Sequence, residues 1–158
     1  MSLAGLVPLV ASDPSVAEAL RTDSDLVVPS AATAPVIAAV AQGVSGRPGT
    51  VLAVTATTRE ADDLVAALGS LLDPATVGDF PSWETLPHER LSPRTDTVGR
   101  RIAVLRRLAH PESDDSGAGR LSVIVAPVRA ILQPFVAGLG DIEPVRLRVG
   151  DEIDVAQT

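Results

Sequence analysis

The 158-residue chain has no cysteine and no tyrosine, and all 13 of its basic side chains are arginines. Without cysteine there are no disulfides, no thiolate catalysis and no Cys-based zinc site. Without lysine there is neither a Schiff-base nucleophile nor the phosphate-gripping Lys of a P-loop. Aromatic residues make up 2% of the chain, which leaves few side chains able to stack on nucleic-acid bases. The net charge of −7 argues against broad nonspecific DNA binding, which needs an excess of cations to neutralise phosphates. A local arginine patch could still meet an acidic partner. The apolar opening from Ser2 to Val10 is too short to span a bilayer and has no basic lead. Neither a signal peptide nor a membrane span is expected, and the expected location is cytoplasmic.

What is present is a 46% hydrophobic content carried by Ala, Val and Leu, ample for one core. Ser12-Asp13-Pro14 opens a short helix through Leu20. Asp25 to Pro29 reads as a first buried strand, Ser30 to Thr33 as a small-residue turn, and Pro35 to Gln42 as a helix stopped by Gly43. Thr50 to Thr55 is an uninterrupted run typical of a strand covered on both faces. Thr57 and Glu60 make a capping box, after which Ala61, Leu64, Val65, Leu68 and Leu72 form a helical stripe. Val77 to Phe80 and Leu121 to Ala126 read as further strands, and Pro127 opens a helical turn through Leu132. Between them, His110 to Gly119 is too polar to pack and is expected to be a mobile excursion. Strands alternating with helices predict an α/β fold, a parallel sheet flanked by helices on both faces. After Gly138-Leu139-Gly140 the pattern changes, and Glu143 to Val149 alternates as a half-exposed strand does. Residues 1–140 are therefore expected to form one domain and 141–158 the start of a second, since no completed element follows Ile153.

The stretch from Asp79 to Arg107 is the least explained by helix and strand packing. It holds the single Trp (Trp83), one of two histidines (His88), Pro81, Pro87 and Pro93, and six of the thirteen arginines. The prolines exclude helix or central strand from Pro81 to Thr95. Thr95-Asp96 then supplies an N-cap, and Val98, Ile102, Leu105 and Leu108 recur at helical spacing, with Arg100, Arg101, Arg106 and Arg107 mainly on other faces. Loop and helix form one unit, of the kind that usually carries an interaction.

Candidate chemistry is sparse. The turn where a nucleotide-binding α/β protein places its phosphate loop is Ser30-Ala31-Ala32-Thr33, with no Gly or Lys and with Pro35 removing a donor. It reads as a structural turn. His88 lies near Glu84 and could serve as a general base, as a small stand-alone Rossmann-like enzyme would use it, or be a solvated loop residue. Two histidines 22 residues apart support no metal site. Trp83 either fills core or anchors the loop with its N–H on backbone. Arg90, Arg94, Arg100 and Arg101 either form a solvated face or hold an acidic partner, a neighbouring domain or a DNA backbone.

The tract DFPSWETLPHERLSPRTDTVGRRIAVLRRL closely resembles a hallmark of the N-terminal module of the bacterial transcription-repair coupling factors. Phe80, Trp83, Glu84, Thr85, Leu86, Pro87, Ser92, Pro93, Asp96 and Arg101 carry the match, and TVLAVTATTREADDLVAAL, LSVIVAPVRAILQP and PVRLRVGDEID extend it along nearly the whole chain. The resemblance implies a fold similar to the first domain (1a) of UvrB, a helicase-like fold whose P-loop has here decayed, with Ala32 about where the Lys would stand. It implies no catalytic residue and no cofactor in this chain, and a parent that is an ATP- and magnesium-dependent DNA translocase. That parent displaces stalled RNA polymerase and recruits UvrA for nucleotide excision repair. The UvrA-contacting surface is implied to lie mostly in the second domain. The chain is then expected to be a noncatalytic docking and autoregulatory module, with Trp83, Glu84, His88, Arg90, Arg94, Arg100 and Arg101 as its candidate contacts.

Overall fold

Three short strands pair in parallel, and the order in which they pair fixes where everything else must go. The computed structural model describes residues 2–22, 25–43, 49–84, 92–112, 119–143 and 150. Its elements are α1 (Leu6–Ala11), α2 (Pro14–Thr22), α3 (Ser30–Ala41), β1 (Val51–Thr55), α4 (Thr58–Leu71), β2 (Val77–Asp79), α5 (Thr95–Ala109), β3 (Val123–Pro127) and α6 (Val128–Leu132), with 3-10 turns at Pro74–Thr76 and Leu139–Asp141. The sheet order is β1-β3-β2, with Val123 beside both Val51 and Val77. The chain therefore steps outward from β1 to β2 and back to β3. Two crossovers of the same hand running in opposite directions need helices on opposite faces. Accordingly α1, α3 and α4 pack with Val123 and Val125, whereas Phe80 and Val104 of α5 pack with Ile124 and Ala126. β3, buried at all five positions, is the centre of the sheet.

Local chemistry explains most boundaries. Thr57 accepts the amide of Glu60 at 3.2 Å, and Glu60 reaches back to the amide of Ala56 at 3.1 Å, so the expected capping box starts α4. The stripe of α4 buries Ala61, Leu68 and Leu71. Asp13 caps α2 through the amides of Ser15 and Val16. The opening segment forms α1, not foreseen from its pattern, because Val7 finds a fully buried place in the first cluster and helix α3 lies against it.

Five sequence expectations change, one of them the N-cap expected at Thr95-Asp96: Arg94 takes that position with no side-chain bond, and Thr95 is already helical. Asp25 to Pro29 is not a strand: it joins neither outer edge of the β1-β3-β2 sheet, and Val27 is 96% exposed. Ser30 to Thr33 is not a turn but the first turn of α3, because Pro29 sits at the N-cap and small residues follow it without a break. β1 is covered on one face only, since it is an edge strand; Ala53 is buried while Leu52 and Val54 stay about half exposed. In α5 the buried residues are Thr97, Arg101 and Val104, one position off the expected stripe, and Leu108 is exposed. Two other expectations, the excursion at 113–118 and the alternating run at 144–149, lie outside the described residues.

Candidate interaction site

At its end β2 delivers the chain over the carboxyl edge of the sheet, where open α/β folds place their binding crevices. Phe80 extends the pairing by one residue, its amide donating to Val125 O at 2.9 Å, and its ring enters the second core cluster. Pro81 is buried and Trp83 half-buried. Gln133, just past α6, clamps Trp83 by its main chain: the Trp83 amide donates to Gln133 Oε1 at 2.7 Å, and Gln133 Nε2 donates to Trp83 O at 3.2 Å. The anchoring bond thus runs through the Trp83 backbone to a side chain.

Arg101 is the hub. It is 1% exposed, and its guanidinium lies 4.1 Å from the centroid of Phe80 and 4.4 Å from that of Trp83. Nη1 donates to Pro81 O at 2.6 Å, while Nε and Nη2 are buried without a partner among the described residues. Desolvation lowers the affinity of Arg101 for its proton. The two aromatic faces supply the counter-field that a carboxylate would otherwise give.

Glu84 closes the unit. Its carboxylate accepts the hydroxyl of Thr97, one helical turn before Arg101 and itself buried, and the amide of Arg94 at 3.4 Å. The Thr97 bond, followed by backbone bonds at Glu84 and Arg94, outweighs desolvation and holds the carboxyl below the ordinary glutamate range. Loop docking through Glu84 should therefore be complete above the ordinary glutamate range and be lost as pH falls through the lower value that the folded state sets. Trp83 emission, followed from pH 6 to pH 3, should show an acid transition that Glu84→Gln removes. An unchanged transition in that variant would show that the Glu84 carboxylate does not hold the loop.

The remaining arginines are less available than their sequence positions imply. Arg100 bonds Asp79 at 2.7 Å and Asp96 at 3.3 Å; desolvation opposes its charge, but these two carboxylates outweigh it and raise its pKa. Arg94 lies 3.4 Å from Asp96 and is exposed. Arg107 donates to the carbonyls of Gly119 and Ala75, and Arg106 to that of Ile142. His88 and Arg90 lie outside the described residues, so no geometry links His88 to Glu84. Ser30, Ala31, Ala32 and Thr33 lie far along the chain from this unit, and the Ala32 amide is spent on Pro29 O at 2.8 Å. Among the described residues no group of three His, Asp or Glu side chains converges on a metal position, and no helix is long and apolar enough to cross a membrane.

Sequence reading missed Gln133, Thr97 and the stacking role of Phe80. Thr97, Arg101 and Val104 do recur at helical spacing, but a stripe containing Arg is discarded when arginine is scored as polar.

No protein-family model matches the chain. It is 47% identical over 156 residues to a transcription-repair-coupling factor of Mycobacterium bovis and, to the same extent, to one of Mycobacterium tuberculosis. Each match covers 95% of this chain but only 12% of the relative, so the chain spans about an eighth of the length of these proteins.

Proposed function

The chain belongs with the transcription-repair-coupling factors, as a counterpart of their N-terminal part, and from that premise we propose that it is a noncatalytic protein-interaction and autoregulatory module. The longer protein it serves is an ATP-dependent DNA translocase that displaces stalled RNA polymerase and recruits UvrA. ATP and magnesium act in parts of that protein other than this one. Residues 1–140 are a degenerate helicase-like fold of the UvrB domain 1a type, and 141–158 begin a second domain that contributes to UvrA contact.

One observation chiefly supports this reading. The segment from Pro29 to Pro35 enters α3 directly, with Ala32 bonded to Pro29 O and with prolines at both ends, in a chain that has no lysine. A triphosphate needs a cradle of free backbone N–H groups and a cation on its outer oxygens. Here the cradle is helix and the lysine is missing from the sequence. Calorimetric titration of the chain with ATP and magnesium is expected to give no binding heat. Saturable binding at micromolar concentration would overturn the proposal.

A further inference from the structure

The buried guanidinium of Arg101 uses one corner only. Nη1 is bonded to Pro81 O, and the other edge, Nε with Nη2, is unsatisfied among the described residues. Those two N–H groups point the same way and match the two oxygens of a carboxylate, the geometry in which arginine binds anions most strongly. The Glu84 carboxylate is not used for it: that group is held by the hydroxyl of Thr97, one helical turn before Arg101, and by the Arg94 amide. Asp79 and Asp96, the other acids of the unit among the described residues, are engaged by Arg100. The fold thus spends its own acids elsewhere and leaves a desolvated bidentate donor open, at an energetic penalty that a correctly placed anion would remove.

We propose that the Nε–Nη2 edge of Arg101 is a covered receptor for one carboxylate side chain of a protein partner, and that the Ser82–Glu84 segment is its flap. Trp83 closes one side of the guanidinium, and among the described contacts its main chain is held by the paired bonds to Gln133. Lifting that flap admits the anion while Phe80, fixed in the core, continues to support the guanidinium. The inference rests on the docking-module reading and adds the chemistry of the partner: an acidic residue presented at the tip of a segment.

The test uses sodium acetate as the carboxylate, inorganic phosphate as the competing oxyanion, and sodium chloride at matched ionic strength as the blank. Two signals are read: the Nε–H proton resonance of Arg101, and the emission of Trp83, the only Trp. Acetate is expected to move both saturably, and Arg101→Lys, which keeps the charge but has no fork, to abolish the response. Gln133→Ala, which frees the flap, should lower the acetate concentration needed several-fold. A response to phosphate but not to acetate would replace the carboxylate partner by a phosphorylated or nucleic-acid one and defeat the proposal as stated. Shifts linear in salt and equal for chloride would defeat it too. If Arg101→Lys does not fold, the wild-type Nε–H titration decides alone. Failure here leaves the nucleotide titration untouched, so the two proposals fail separately.

Discussion

Arg101→Ala is expected to destabilise the chain by about 2–4 kcal/mol, the largest loss from any single substitution in the loop–helix unit. The truncation leaves a cavity between Phe80 and Trp83, an effect that typically costs about 2–5 kcal/mol for large buried side chains. It also removes two cation–π contacts, each worth about 0.5–2 kcal/mol when desolvated. Against these stands relief from burying a cation with two unsatisfied donors, about 1–3 kcal/mol for each such group. The packing loss wins because both rings lose their shared neighbour at once. Arg101→Met separates the effects: it keeps the volume and drops the charge, and buried charges replaced by apolar residues of similar size are often neutral or stabilising. Urea unfolding followed by circular dichroism and by Trp83 emission measures both variants. An alanine variant within about 0.5 kcal/mol of the parent, the usual size for a surface substitution, would show that Arg101 is not the hub described above.

Gly140→Ala is expected to release the 3-10 turn at Leu139–Asp141 from α5. A Cβ at Gly140 would stand 2.9 Å from Leu105 O, 3.1 Å from Ala109 Cβ and 3.2 Å from Leu105 C. The first and last belong to the helix backbone and cannot yield as a flexible side chain would, so the turn must lift. With it go the His110–Asp141 contact at 2.9 Å and the Arg106 bond to Ile142 O at 3.0 Å. Overpacking of this kind costs about 1–3 kcal/mol. Gly138, at φ 86°, meets nothing closer than 3.9 Å, so Gly138→Asn, which tolerates that backbone region, should be milder. Thermal denaturation and amide exchange at residues 139–141 would read the difference. Equal behaviour of the two variants would mean that close approach at Gly140 does not hold the turn. The consequence reaches beyond stability, because the turn directs the chain at the boundary expected between residues 140 and 141.

Legibility from sequence followed how local the cause was. The capping box at Thr57 and Glu60, the stripe of α4, the strand at Val51–Thr55 and the proline-bounded entry to α6 depend on residues within one or two turns, and all were readable. The number of strands was not. Asp25 to Pro29 has the composition of a strand, yet a strand exists only when it pairs with a neighbour, and this segment runs into α3 without joining the sheet. The burial of Arg101 was hidden for a related reason. A charged residue is placed outside by every local rule, and only two aromatic rings brought from the end of β2 and beyond it make an interior position tolerable. The same holds for Gln133, 50 residues from the Trp83 main chain that it clamps.

From composition and motif alone came the chemical limits: no thiol, no amine nucleophile, no lysine for a phosphate, and a tract from Phe80 to Arg101 that resembled one family. Those follow from which atoms the chain contains, and folding cannot add any. The tertiary structure decided which groups remain available. By pairing Arg100 with Asp79, tying Glu84 to Thr97 and setting Arg101 against Phe80 and Trp83, it placed within a run of basic side chains one buried guanidinium with a single nitrogen bonded among the described residues. Burial and pairing depend on contacts between distant segments, and the energy of an ion is set by what surrounds it more than by its own identity.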